Sequence, residues 1–297
     1  MNSDYVSTAT GQPFATLAVV ETAIDAHTTS IAYYGLASVT GNDIRENMSI
    51  VVDDEVMGVT SFTDSLLVVK RGCFDTVPAQ HDGESSIWFI DGGIGTDFVP
   101  YMGTEQIGIK LLPRTTSLVM DVQYSPPIAL SMNQRFIRPY NVGQFKVNAG
   151  PWDGNARLTA VAPNAALTWV ERNRIIQADQ LVGYDDSGVA AEAGTTYHFA
   201  LFKEDGTPVH VYDGITSGWA YTRPMAVSDF NLVSLSDTGD YQLYGLFYTA
   251  RDGYSSWQAY RVDLRVDTTG LAIYLITEDS KYLTTEDGRQ IIVENHS

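Results

Sequence analysis

Apolar and polar residues alternate with a period of two along most of this chain. Ser30 to Val39, Met48 to Val52, Glu55 to Thr60, Ser65 to Lys70 and Ser86 to Ile90 are rich in Val, Ile, Tyr, Phe or Thr. Turn formers separate them: Gly41-Asn42-Asp43, Asp53-Asp54, Thr63-Asp64 and Asp82-Gly83. β-Branched and aromatic runs with such punctuation predict strands. Asp53-Asp54 predicts a tight hairpin turn, because Asp tolerates left-handed backbone. The best helical window, Ala15 to His27, reads equally well as a strand followed by a turn.

From residue 92 the pattern becomes less regular. Gly92-Gly93-Ile94-Gly95 is a flexible turn, and Gln106 to Leu112 and Leu118 to Val122 are short apolar runs. Ser125-Pro126-Pro127 and Arg138-Pro139 terminate strands, since proline lacks a ladder donor and restricts the residue before it. These breaks place a domain boundary near residue 139. Residues 140–266 return to clear alternation. Leu167 and Trp169 share a face, Tyr197, Phe199 and Leu201 alternate with His198, Ala200 and Phe202, and Tyr241, Leu243, Gly245 and Phe247 share a face. Strands with one buried and one wet face, joined by turns such as Glu204-Asp205-Gly206 and Asp252-Gly253, predict a β-sandwich. The long stretch between Trp169 and Tyr197 predicts an exposed loop around Tyr184 to Glu192. Residues 267–297 repeat an octet, Tyr274-Leu275-Ile276-Thr277-Glu278-Asp279-Ser280-Lys281 and then Tyr282-Leu283-Thr284-Thr285-Glu286-Asp287-Gly288-Arg289, with a degenerate third unit from Gln290. Three units this short must pack on something else. The expected organisation is therefore all-β: an N-terminal β-rich domain (1–139), a sandwich (140–266) and a C-terminal β-repeat (267–297).

Charge narrows the partners. The net charge of −18 repels nucleic acid and anionic membranes, and the densest basic stretch, Glu171-Arg172-Asn173-Arg174, is mixed in sign. Hydrophobic content of 44% suffices for a sizeable core. The single cysteine, Cys73, forms no intramolecular disulfide and reads as a small buried hydrophobe. Phe14 to Val20 is too short to span a bilayer, and Met1 to Tyr5 lacks the basic start of a signal peptide, so cytosolic synthesis is expected.

Reactive chemistry is sparse. The five histidines form no HExxH motif. His198 and His210 fall on adjacent predicted strands, where a metal pair competes with ordinary strand-surface residues. Cys73, Asp75 and His81 imitate a thiol–imidazole pair, but a structured loop explains them better. Asp185-Asp186, Glu204-Asp205, Asp237 with Asp240, and Glu278-Asp279 offer oxygen ligands for calcium, yet turns favour Asp anyway and none fits a regular calcium loop. No catalytic residue, cofactor or metal site is assigned. Trp152, Trp219, Tyr254 and Trp257 lie near predicted turns. With Tyr274, Tyr282 and Ile291 of the repeat, Trp219, Tyr254 and Trp257 are the interface candidates.

Two stretches resemble structural tail proteins of tailed bacteriophages. One is the Asp53-Asp54-Glu55 hairpin followed by Arg71-Gly72-Cys73-Phe74-Asp75-Thr76-Val77-Pro78-Ala79-Gln80-His81. The other is Thr168-Trp169-Val170-Glu171-Arg172-Asn173-Arg174 with Gly194-Thr195-Thr196-Tyr197, which is similar to the fibronectin-III or Ig-like module of those proteins. Gly239-x-Tyr241 before a strand has the arrangement of a tyrosine corner. The resemblance implies a virion protein assembled in the host cytoplasm. It would sit in the tail tip, baseplate or fibre-attachment region, bind other tail proteins and copies of itself as a trimer or ring, and have no enzymatic activity. A receptor-binding adhesin for host-surface glycans and a cell-wall glycosidase are the alternatives.

Overall fold

The computed structural model describes residues 16–35, 44–90, 101–113, 115–232 and 240–268. The fold is all-β: the described residues include one short α-helix and one 3-10 turn, Arg135–Ile137, and otherwise strands and connections. The Gly41-Asn42-Asp43 and Gly92 to Gly95 turns and the C-terminal repeat lie outside the described residues. The chain divides into two compact units: residues 1–73 with 78–138, and residues 74–77 with 139–297.

The first unit holds a closed barrel. Its strands are β1 (Thr16–Val20), β2 (Ser30–Tyr34), β3 (Ser49–Val52), β4 (Glu55–Phe62), β5 (Leu66–Lys70) and β6 (Ser86–Phe89). They run in the order β1-β2-β5-β4-β3-β6, and β6 pairs back onto β1 from Thr16↔Phe89 to Val19↔Ser86. Ala15 to His27 is thus a strand and a turn. Alternation sends Val20, Ile31, Ile50, Met57, Leu67 and Phe89 into the lumen, each nearly or wholly inaccessible. Asp53 and Asp54 make the two-residue turn between β3 and β4, with Val52 paired to Glu55 and Asp53 at φ 49°. Beyond the barrel come β7 (Gln106–Ile109) and β8 (Ile128–Ser131), an antiparallel ribbon of two strands. Leu118 to Val122 forms no strand; the connection between β7 and β8 is irregular and is tied by Ser125 Oγ to the Leu111 carbonyl at 2.8 Å.

The second unit is a pair of sheets. One contains β9 (Gly143–Val147), β10 (Gly150–Pro151), β12 (Asn164–Val170) and β15 (Ala220–Thr222), in the order β10-β9-β12-β15. The other contains β11 (Ala156–Leu158), β13 (Thr196–Lys203), β14 (Pro208–Asp213), β16 (Asp240–Arg251), β17 (Tyr254–Ser255) and β18 (Tyr260–Asp267). Its path is β11-β18-β16-β13-β14, with β17 on β16. Helix α1 (Arg223–Asp229) starts at Thr222, whose side chain accepts from the Met225 amide. Asp252 and Gly253, at φ 51° and 83°, close the β16–β17 hairpin with the two left-handed residues that a type I′ turn needs.

Aromatic rings join the two sheets. Phe145 on β9 stacks on Phe247 of β16 at 4.5 Å and on Tyr260 of β18 at 4.7 Å, and Trp169 on β12 meets Phe247 at 4.8 Å. Tyr260 Oη donates to the Val142 carbonyl at 2.7 Å, and Tyr184 Oη to that of Phe145 at 2.6 Å. Gly239 of the expected tyrosine corner lies outside the described residues; the Tyr241 ring meets Phe230 at 5.4 Å in a tilted contact.

Gly245 is where β16 lets Phe199 cross it: a Cβ there would run into the Phe199 ring. Gly245→Ala is expected to cost about 1–3 kcal/mol through overpacking. Adding Phe199→Leu should recover part of that loss. Urea unfolding of the four chains of this double-mutant cycle measures both.

Candidate functional site

The stretch from Asp53 to His81 builds a buried ionic centre in the barrel unit. Glu55 opens β4 directly after the turn, and Arg71 follows β5. Both are almost fully buried. The Arg71 Nε donates to Glu55 Oε1 at 2.9 Å and Nη2 to Oε2 at 2.8 Å, a bidentate pair. The other three guanidinium N–H groups reach the carbonyls of Asp25, Thr28 and Ala79, so every Arg71 donor is used. Glu55 also accepts the amides of Gly72 at 2.8 Å and Ala79 at 2.9 Å. Gly72 has φ +55° and a Cβ there would meet the Pro78 ring, which explains a glycine after Arg71 and a proline six residues on.

His81 completes the centre. Its Nδ1 lies 2.7 Å from Asp53 Oδ2 and its Nε2 2.9 Å from Glu55 Oε2. Two carboxylate partners require both ring nitrogens to donate, hence an imidazolium. Burial opposes that charge, but hydrogen bonds to Glu55 and Asp53 outweigh it, and the His81 pKa is raised. Burial likewise pushes the Glu55 carboxyl up, but Arg71, His81 and the Ala79 amide hold it below the usual carboxylate range. His81 therefore faces carboxylates, not the Cys73 thiol, which is itself buried, with Sγ 3.7 Å from the Lys70 carbonyl. Every ligand in the centre is spent on the fold.

The second motif is likewise structural. Trp169 and Tyr197 meet in the sandwich core at 5.1 Å. Arg172 places its guanidinium over Tyr140 and donates to the Val182 carbonyl at 2.6 Å. Glu192 pairs with Arg174 at 3.0 Å and with Arg251 at 2.9 Å. The connection from 171 to 195 was expected to be exposed around Tyr184 to Glu192. Both of those ends are buried, because a ring contact with Trp152 and the Arg174–Glu192–Arg251 pairs pull them in; residues between them, such as Asp185, are exposed.

His198 and His210 do not face each other. His198 contacts Asp213 at 2.6 Å and stacks on Tyr248, whereas His210 lies 3.3 Å from Asp229 and stacks on Tyr212. The acidic turns hold their own backbone: Asp205 accepts from the Thr207 amide and Asp186 from the Gly183 amide. Among the described residues no three acidic, His or Cys side chains group as a metal site.

The interface candidates separate. Trp219 is half-buried among Phe199, Tyr212 and Tyr221. Tyr254 is half-buried on β17, while Trp257 is exposed. Tyr274, Tyr282 and Ile291 lie outside the described residues. On the outer face of the larger sheet, Phe202 stacks on Tyr244 at 5.2 Å and Arg261 covers Tyr244 at 4.0 Å. Ring faces there are filled by neighbours.

The surface that sequence reasoning missed is the arm at residues 101–138. Twelve of the twenty large apolar side chains exposed among the described residues belong to it, including Met102 at 77%, Leu118 at 73% and Phe136 at 90%. The register pairs Ile107 with Leu130 and Ile109 with Ile128, so four aliphatic residues share one face of the ribbon. Ile109, Ile128 and Leu130 are nevertheless exposed. The strands β7 and β8 pair only with each other, which leaves both outer edges open among the described residues. A bare two-stranded ribbon is marginal in water, and each such side chain gains roughly 1.5–3 kcal/mol when fully buried. Charge was the available signal: this arm holds four basic and two acidic residues, net +2, against −20 for the rest of the chain.

Two outcomes follow for the ionic centre. Arg71→Met strands the Glu55 carboxylate, and a loss of about 3–5 kcal/mol is expected by urea unfolding. For pH, the raised His81 pKa contributes stability that is full below the ordinary imidazole value of 6.5 and is lost as pH rises through the folded value. The lowered Glu55 pKa contributes stability that is full above the ordinary value of 4.5 and is lost as pH falls through the folded one. Thermal midpoints of the wild type minus those of His81→Gln should therefore be largest between these two values and shrink towards alkaline pH. A pH-independent difference would refute the imidazolium.

Compared with known proteins, the chain matches no protein-family model and no curated protein.

Proposed function

We propose that this chain is a structural assembly subunit of a bacteriophage tail, placed in the tip, baseplate or fibre-attachment region and working through protein–protein contacts without catalysis. The observation that carries the assembly reading is the arm. A water-exposed ribbon with one aliphatic face and two open edges has the form of half an interface. The tail assignment rests on the resemblance of the Asp53 to His81 and Thr168 to Tyr197 segments.

The sandwich supports the fibronectin-III-like part of this reading. Strands β9, β12 and β15 share one sheet and β13, β14, β16 and β18 the other, a two-sheet antiparallel architecture of the kind fibronectin-III domains share with immunoglobulin-like sandwiches, with β14 on the opposite sheet from the fourth strand of an antibody constant domain. A glycan adhesin needs open aromatic faces; the rings at Trp219 and Tyr244 are packed against neighbours, so an exposed ring such as Trp257 would have to serve it. A glycosidase needs a free acid and base in a groove, whereas the buried carboxylates Glu55 and Glu192 are each paired to arginine.

Leu118→Ser with Phe136→Ser tests this reading. Surface changes of this kind shift stability by about 0.5 kcal/mol or less, so the thermal midpoint should stay put. Incorporation of the protein into tails, read as its copy number in purified particles, should fall severalfold. Unchanged incorporation, or absence of the wild-type protein from tails, rejects the proposal.

A further inference from the structure

We infer that the β7–β8 ribbon receives the C-terminal run, residues 269–297, of a second copy of this chain, added as strands along its open edges and over its aliphatic face. This rests on the assembly reading of the arm and names its partner.

Three observations select that occupant. The first is sequence pattern. Strand addition takes a segment of β-forming residues. The barrel strands are closed on one another, and the C-terminal run supplies Tyr274-Leu275-Ile276, Tyr282-Leu283 and Ile291-Ile292-Val293, short β-type runs whose repeat is too short to bury a core alone. The second is charge. Residues 269–297 hold five acidic and two basic side chains, net −3, facing an arm of net +2 with Lys110, Arg135 and Arg138. Ribbon against ribbon would set +2 against +2. The third is reach. Twenty-nine extended residues span up to roughly 95 Å, ample for contact with a neighbouring copy.

The full-length chain tests this by sedimentation velocity over a concentration series. The wild type is expected to self-associate, more weakly at high salt. An arm variant, Lys110→Glu with Arg135→Glu and Arg138→Glu, and a tail variant, Glu278→Lys with Asp279→Lys and Glu286→Lys, should each weaken association at least tenfold. Mixing the two variants should restore it, since each then offers the complement of the other. Leu130→Glu is a second arm variant that does not depend on the charge triple, and circular dichroism checks that each chain folds. Self-association untouched by the tail variant, or lost in both variants without rescue on mixing, overturns the inference. So does a wild-type chain that stays monomeric. None of these results removes the arm from assembly on a different protein, which the incorporation of Leu118→Ser with Phe136→Ser reads separately.

Discussion

A β-strand has two hydrogen-bonding edges and two faces, and a protein built almost wholly of strands has to provide for all four. The barrel provides for them most fully. Closing β6 onto β1 removes its edges, and the lumen takes the inward faces. The sandwich covers its inner faces with aromatic contacts between sheets, while β14 remains a paired-on-one-side edge opened by Pro208. Among the described residues the ribbon of β7 and β8 covers neither its aliphatic face nor its outer edges. On the reading we propose, this gradation is what makes the arm the place where backbone and apolar groups are left over for another molecule.

The Glu55 centre shows how the closed end of that gradation is held. Its acceptor oxygens collect donors from Arg71 just after β5, from the amides of the long connection that follows, and from His81, while Arg71 reaches back to the carbonyls of Asp25 and Thr28. One carboxylate thus ties the β3–β4 hairpin to the connection after β5 and, through Arg71, to the β1–β2 connection. Burying charge in this way gains little over an apolar core. Its effect is on uniqueness: the loop has one arrangement in which every donor and acceptor is matched, and a shifted loop strands several at once. The positive φ of Gly72 and the ring of Pro78 belong to that same arrangement.

Period-two alternation was enough to locate most barrel and sandwich strands, because burial of one face imposes it directly. Glu55 to Thr60 and Ser65 to Lys70 fall on β4 and β5, and the Asp53-Asp54 and Asp252-Gly253 turns follow from residues that accept positive φ. Long-range polar partners were not legible. Nothing in the spacing of Asp53, Glu55, Arg71 and His81 says that they converge, since the pairing of β3, β4 and β5 and the path of the connection after β5 bring them together; the same run also offered an imitation of a thiol–imidazole pair. Tyr184 and Glu192 looked exposed because they sit in a long connection, and were drawn in by Trp152, Arg174 and Arg251, all distant in sequence or type. The arm failed differently. Its alternation is weak, and among the described residues its aliphatic face is exposed, so the signal that identifies a core is absent there.

The charge distribution bears on how such an arm can stay useful. A chain at −18 is repelled by its own copies at long range, which protects an exposed aliphatic face from indiscriminate association. The arm's net +2 reverses the sign locally. Approach of an acidic, strand-forming segment is then favoured in the orientation that brings it to the arm, and disfavoured elsewhere. Electrostatics chooses the encounter, and burial of the aliphatic residues with completion of the open ladder supplies the residence. An arm that was apolar but acidic would be soluble and unpaired, and one that was apolar and neutral would aggregate. Basic residues in the arm that carries the ribbon of an otherwise acidic protein avoid both outcomes.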